Sequence, residues 1–530
     1  MLLPRQKCRE CIFEVYLLQE TELGCTVRDH LAFKSARIHS WNLRPSLTML
    51  VRAVRSCTPA RLAHVPRAAG AGMCTFRHKN AIDMAIVREP MSVRVGHTPE
   101  VCSTATDVVK DHVVSGSKVF VHSAAACPDQ LATAMTKVGK EKGVSDVEVV
   151  HIHTEGEALY TKEPYAKHFH CNSLFTGSNC REAVNAGRAD YTSIFLSEIP
   201  ALFRRGYKHL DVALLQVSPP DEHGFCSLGV SVDVSRAAAQ CARQLVAVVN
   251  DQMPRTNGDS AIHISHFSKV MYDSKPLPTI PTRPMSKACQ DIGRLIADNL
   301  IDDGATLQMG IGTIPDAVLS CLGGHRRLGV HTEMFSDGII DLVEQGVVTN
   351  EAKTLNPGIN VTSFLFGTQR LYDFVHSNPC VQVRDVGYTN DTYIIEQETK
   401  MTAINSCVEM DLTGQAVSDS IGHRIYSGVG GQLDFLRGAG RCDQGVPILA
   451  MPSTTSKGKS RIVGCLTPGG GVVTTRAHVH YLVTEHGIAH LFGKTLRERA
   501  KALIAVAHPD HREQLEREAF ECGVLRPNAK

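Results

Sequence analysis

One carboxylate and two glycine-rich turns are the residues of this chain whose types and spacing could do covalent chemistry. Residues 304–333 read as strand, turn, helix and strand. T-L-Q-M-G leads into Gly310-Ile311-Gly312-Thr313, a helix is opened by Pro315, and R-L-G-V-H-T-E ends on Glu333. Glycines at such a turn let the backbone approach a ligand, and a helix N-terminus aims N–H donors at negative charge. The turn lacks the third glycine of a dinucleotide fingerprint, and no G-K-[ST] follows it, so neither a Rossmann nor a Walker site is expected. Ligands of open α/β sheets sit at the carboxyl ends of strands, which gives the Gly310–Thr313 turn and Glu333 equivalent places. If the two strands are neighbours, a carboxylate faces backbone donors across a crevice. Such a carboxylate can act as a covalent nucleophile while N–H groups stabilise an oxyanion. It can equally cap a helix or pair with an arginine. The second turn, with Gly428, Gly430 and Gly431, follows a strand and precedes an amphipathic run from Gln432. By itself it is an ordinary strand–helix turn.

Metal chemistry has weaker support. The eighteen cysteines are scattered, and the C-x-x-C at Cys8–Cys11 has no clear partner pair for a zinc site. His151 and His153 alternate in V-E-V-V-H-I-H, and His168 and His170 do the same; they read as pocket or surface histidines. No metal is expected.

The elements that must position these residues alternate between strand and helix. Residues 117–138 read as strand, small-residue turn and helix with Pro128 in its first turn. Strands follow over 144–153, 210–218 and 243–251, the last two as near-continuous apolar runs that suit burial on both faces. A Pro-rich stretch, 274–284, is the linker candidate. Beyond it, 289–301 is an amphipathic helix, and the strand–turn–helix order recurs. Pro-Asp stands at the helix start in both halves, at Pro128 and Pro315, which reads as a weak internal repeat; helix capping alone also favours it. The expected fold is α/β, two tandem related open domains with mostly parallel sheets, over 79–273 and 274–530.

The whole chain has 530 residues, 43% of them hydrophobic, and a formal net charge of +2. That balance leaves no global footprint for nucleic acid or an anionic membrane, and no run approaches the ~20 apolar residues of a membrane span. From His30 to Ile82 there is no Asp or Glu but nine Lys or Arg. With Arg52, Arg55, Arg61 and Arg67 set among Leu, Val and Ala, 1–78 reads as a mitochondrial transit peptide whose natural start is Met49, and the matrix as the destination.

Seven ordered segments carry a likeness to a known family: GRADYTSIFLSEIP (187–200), SPPDEHGFCSLGVSVD (218–233), LQMGIGTIPDAV (307–318), LGVHTEMFSDGIIDLVEQGVVTN (328–350), INSCVEMDLTGQ (404–415), SGVGGQLDFLRGA (427–439) and VTEHGIAHLFGKTLRERAKALIAVAHPDHR (483–512). The chain resembles the acetyl-CoA hydrolase/transferase family, its 4-hydroxybutyrate CoA-transferase branch above all, from about Ala81 to Arg512. The resemblance implies two similar open α/β domains with the active site between them. It implies Glu333 as the nucleophile, working through a mixed anhydride and a glutamyl-CoA thioester. Oxyanion donors would be the backbone of Ile311 or Gly312 and of Gly428. CoA contacts would fall at Gly310, Ile311, Gly312, Thr313, Asn405, Gly428, Gly430 and Gly431. CoA would be a substrate, with no permanently bound cofactor, and the partners would be acyl-CoA and short-chain carboxylates, handled by a homodimer. The pattern departs from the family at His478, His486 and the Ser123–Ala126 turn. An acetyl-CoA hydrolase on the same scaffold and a non-catalytic CoA or nucleotide sensor are the alternatives.

Overall fold

Two parallel sheets organise the molecule. The computed structural model describes residues 91–280, 284–310 and 312–526, which belong to one compact unit, His78–Lys530. The segment 1–78, expected to be a transit peptide, and Ile311 lie outside the described residues.

The first sheet has eight strands, in spatial order Glu100–Val101, Phe267–Asp273, Gln244–Asn250, Val212–Val217, Lys118–Val121, Val147–His151, Phe169–Ser173 and Ala189–Tyr191. All its pairings are parallel. All six residues of Val212–Val217 are buried, as an apolar run between two helix layers requires. Helix Asp129–Lys142 follows the strand Lys118–Val121 and ends on Gly143 at φ 64°, a left-handed cap that glycine adopts without a Cβ clash.

The second sheet runs Gly329–Val330, Thr306–Met309, Thr402–Ser406, Val446–Ala450, Tyr481–Thr484 and Gly487–His490, parallel except at its last strand. Helix Lys287–Leu300 is capped by Ser286, whose hydroxyl accepts from the Cys289 N–H. It packs on helix Thr313–Leu319 at Gly293, where a Cβ would stand 2.7 Å from the Ala317 carbonyl. In each sheet the first long strand, Lys118–Val121 or Thr306–Met309, has a neighbour on either side reached by connections that leave in opposite directions. The crevice beyond its carboxyl end is where such a sheet takes a ligand.

The structure corrects two local expectations. The strand expected to end at Glu333 stops at Val330. The Thr332 hydroxyl replaces the backbone ladder, accepting from the Met309 N–H and donating to its carbonyl, both at 3.1 Å. The Thr332 N–H turns instead to Val361. Met334–Phe335 then pairs with Phe364–Leu365 in a separate two-stranded sheet, leaving Glu333 at the crossing point. The helix expected to open at Pro315 begins at Thr313, with Gly312 as its cap.

The two halves share secondary structure. Asn257–Gly258 joins Val381–Val383 and Asn360–Thr362 in a three-stranded parallel sheet. Arg204 meets Asp385 at 2.5 Å, both largely buried.

Candidate active site

Glu333 is held from below by its own backbone. Its carbonyl accepts from the Ser363 and Phe364 N–H groups and from the Thr362 and Ser363 hydroxyls, at 2.8–3.1 Å. Two residues earlier, His331 is fully buried between the Glu398 carboxylate (3.1 Å) and the Thr389 carbonyl (2.8 Å). Lys353 stands 3.7 Å from the same carboxylate and donates to the Val330 and Ile359 carbonyls. Burial pushes its ammonium down to about 8. This buried ionic group anchors the strand that presents the glutamate.

The side chain is enclosed from the other half of the crevice. Glu333 keeps some exposed surface, yet its carboxyl group is packed among protein atoms, and burial pushes it up to about 7. The Asn390 amide donates to Oε2 at 3.0 Å and the Gly431 N–H donates to the carboxylate, both pulling the pKa down; Asp434 and Asp233 push it up. Gly431 has an ordinary φ of −97°, so its need for glycine is one of space. A Cβ there would stand 2.0 Å from Glu333 Oε2 and 2.1 Å from Asn390 Nδ2.

Asp434 lies in the first turn of helix Gln432–Arg441 and is buried. The Ser197 hydroxyl and N–H donate to it at 2.8 and 3.1 Å, and the Asn390 amide at 3.5 Å. Burial lifts its carboxyl to about 6. Asp233 is fully buried, its oxygens accepting from the Ser123, Ser231 and Ser235 hydroxyls. The Ser123–Ala126 turn at the first sheet's switch point therefore supplies a hydroxyl to a carboxylate.

The turn at Gly428–Gly431 docks on the first half of the chain. Phe175 packs against Gly428, where a Cβ would come within 2.8 Å of its ring. The Leu196 N–H donates to the Gly430 carbonyl, the Thr176 N–H to that of Ser427, and Tyr191 Oη accepts from the Val429 N–H. Gly430 is left-handed at φ 60°.

The other turn borders a cleft of about 880 Å³ lined by Gly312, Thr313, Asp316, Met334, Asp337 and Arg370, among others. Gly312 has φ 128°, a value that glycine alone takes at low cost, and a Cβ there would meet nothing within 4 Å. Gly310 donates to the Ile404 carbonyl and lies beside Asn405, whose amide is paired with that of Gln308. The structure thus brings Gly431 onto Glu333. It puts Gly312 and Thr313 on the cleft that Met334 reaches, and Gly310 against Asn405, and it ties Gly428 and Gly430 to the first half. Asn390, Asp434, Asp233 and Ser197 escaped sequence reasoning. Only Asp434 carried a signal, as an acid beside Phe435 and Leu436 on the buried face of its helix.

Residues 99–281 match the acetyl-CoA hydrolase/transferase N-terminal domain and residues 367–519 the C-terminal domain of the same family, together more than half of the chain. The chain belongs to the acetyl-CoA hydrolase/transferase family. It is 54% identical over 443 residues to a succinyl-CoA:acetate/propanoyl-CoA:succinate CoA transferase of Fasciola hepatica, covering 83% of this chain and 92% of that protein. It is 49% identical over 398 residues to a 4-hydroxybutyrate coenzyme A transferase of Clostridium kluyveri, covering 75% and 92%. Among solved structures, RipA from Yersinia pestis superposes with a TM-score of 0.77 at 34% identity, over 80% of this chain and 98% of that one. The mixed α/β architecture with mostly parallel sheets is thus that of the family.

Proposed function

We propose that this member of the acetyl-CoA hydrolase/transferase family is a CoA-transferase that exchanges CoA between a short-chain acyl-CoA and a carboxylate such as acetate, succinate, butyrate or 4-hydroxybutyrate, with Glu333 as its covalent nucleophile. The observation that carries the proposal is a glutamate enclosed enough to be lifted to about 7 while Asn390 and the Gly431 N–H hold its carboxylate in place. Raised basicity makes a carboxylate a better nucleophile, and the Asn390 amide, donating to Oε2 at 3.0 Å, helps to fix it for attack.

Asn390 occupies Oε2, which leaves Oε1 to attack the thioester carbonyl. The oxyanion that forms collapses with cleavage of the C–S bond, giving an acyl-glutamyl anhydride and CoA thiolate. The thiolate attacks the glutamyl carbonyl, the donor acid leaves as its carboxylate, and a glutamyl-CoA thioester remains. An acceptor carboxylate reverses the two steps and departs as the new acyl-CoA, returning Glu333 as a carboxylate. The backbone N–H groups of Ile311 or Gly312 and of Gly428 are the donors for the oxyanions. The cleft reached from Gly312 and Met334 has the size of a small-molecule site. It suits the neutral pantetheine arm; its acids Asp316, Asp337 and Asp341 disfavour CoA phosphates. Beyond the site, we take 79–273 and 274–530 as the two domains, the active form as a homodimer, and 1–78 as a mitochondrial address.

The test is to trap the intermediate. Exposing the protein to acetyl-CoA without an acceptor and reducing with borohydride should convert the Glu333 side chain to an alcohol, read by peptide mass. Glu333→Gln should carry no such mark and lose at least about 10³-fold in kcat. Acetyl-CoA loss that is independent of any added carboxylate would reassign the protein as a hydrolase. An unmarked Glu333 in an active enzyme would remove it as nucleophile.

A further inference from the structure

Outside this site, strand Val147–His151, strand Phe169–Ser173 and the cap of helix Arg181–Asn185 bring His151, Cys171 and Cys180 together. Each is almost completely buried, with at most 1% of its surface exposed. His151 Nε2 lies 3.3 Å from Cys171 Sγ and 3.8 Å from Cys180 Sγ, and all three atoms stand within 4.8 Å of one another. Ligand atoms around a tetrahedral zinc ion, with bonds of about 2.0–2.3 Å, stand roughly 3.3–3.8 Å apart. The trio therefore already outlines one face of such a tetrahedron.

The ring is oriented as a ligand should be. His151 Nδ1 bonds the Ile152 carbonyl. A carbonyl only accepts, so Nδ1 carries the proton and the Nε2 lone pair points at the two sulfurs. A backbone carbonyl holding the far nitrogen is the usual outer support of a metal-bound histidine. The Tyr160 ring packs edge-on to that of His151, with centroids 5.8 Å apart, and holds it in place.

We propose that His151, Cys171 and Cys180 bind a soft divalent cation, Zn²⁺ by its ligand preference. Two thiols lose their protons on binding, and the resulting pair of thiolates balances the ion's charge in a site with no access to water. The role is structural. The eight residues between the cysteines include Phe175 and Thr176, which hold the Gly428–Gly430 turn in place. An ion joining Cys171 to Cys180 fixes both ends of that loop. Zinc occupancy is independent of the role given to Glu333, so failure of either leaves the other standing.

The full chain, expressed with zinc supplementation and purified under reducing conditions without chelator, should hold about one equivalent of zinc that survives dialysis against EDTA. Replacement by Co²⁺ should give the intense near-ultraviolet thiolate-to-cobalt band of a cysteine-ligated tetrahedral site. Cys180→Ser and His151→Gln should fall below about a tenth of an equivalent. Cys465 and Cys522 are exposed with sulfurs 3.8 Å apart, and Cys465→Ser should keep the ion, which excludes adventitious surface binding. If the ligand variants fail to fold, the cobalt spectrum of the unaltered chain decides alone. Well-folded protein without zinc, in which Cys171 and Cys180 are recovered as free thiols or as a disulfide, overturns the proposal, as does full zinc retention in folded Cys180→Ser.

Discussion

Glu333 sits where two requirements conflict. A nucleophile must be ionised, and a carboxyl group surrounded by protein and two further acids resists ionisation. Its pKa of about 7 predicts that kcat/KM falls as pH drops through that value. Asn390 is one of the groups holding the value down. Asn390→Ala should move the acid limb to higher pH, costing roughly tenfold in kcat/KM near pH 6 and little near pH 9, since a hydrogen bond to a charged group is worth about 1.5–3 kcal/mol. A pH–rate profile that keeps its position would remove Asn390 from this role. The same shift bears on stability with a definite sign. The folded pKa lies above the unfolded value of 4.5. The unfolded chain therefore ionises first, and stability falls as pH rises from about 4.5 to about 7, remaining lower above that. Glu333→Gln removes the ionisation. It should stabilise the protein by about 1–3 kcal/mol near pH 8 and by almost nothing near pH 4, measured as denaturant midpoints at the two pH values.

Elements bring the groups to Glu333 at distances that single atoms decide. The helix Gln432–Arg441 begins one residue after Gly431, and the missing side chain there is what lets the turn close on the carboxylate. Gly431→Ala has no backbone penalty at φ −97°, so its Cβ acts by displacement alone. It should lower kcat by at least about 10²-fold while shifting the melting temperature by only a few degrees, because a misplacement of about 1 Å suffices for such a loss. Near-native activity would mean that the turn does not approach Glu333 in the working enzyme. The strand side is organised differently. Thr332 substitutes its hydroxyl for the ladder, and the chain crosses from one sheet to another at the residue it presents.

At the scale of the molecule, the site exists only because the halves are joined. Ser197 and Phe175 come from the first half, Asp434 and Gly428 from the second. Arg204 and Asp385 form a deeply buried charged contact between them, with 11% and 10% of their side-chain surfaces exposed. Removing one partner leaves the other charge without compensation. Arg204→Met should destabilise the protein by about 3–5 kcal/mol, and adding Asp385→Asn should recover a good part of that. Equal melting temperatures for the single variant and the parent would show that the contact holds nothing together. Charge is unevenly divided along the chain. Residues 1–75 carry eleven Lys or Arg and five Asp or Glu, so the remainder of a chain of net charge +2 is acidic, at −4.

The sequence by itself determined what depends on neighbours along the chain. The apolar run 210–218 suited a doubly covered strand, and Val212–Val217 is one. The glycines at 310–312 and 428–431 marked strand-to-helix turns. The segment around His331–Met334, with the other six, pointed to the family and to Glu333. What surrounds the glutamate was decided by tertiary structure alone, because Asn390, Asp434 and Asp233 lie 57, 101 and 100 positions away in either direction along the chain. No spacing rule connects residues that meet through the order of strands in a sheet. The same holds for His151, Cys171 and Cys180, which show no ligand spacing in sequence and form one cluster only because parallel strands align their ends. A carboxylate's environment, and hence its pKa, belongs to the fold; its identity as a carboxylate belongs to the chain.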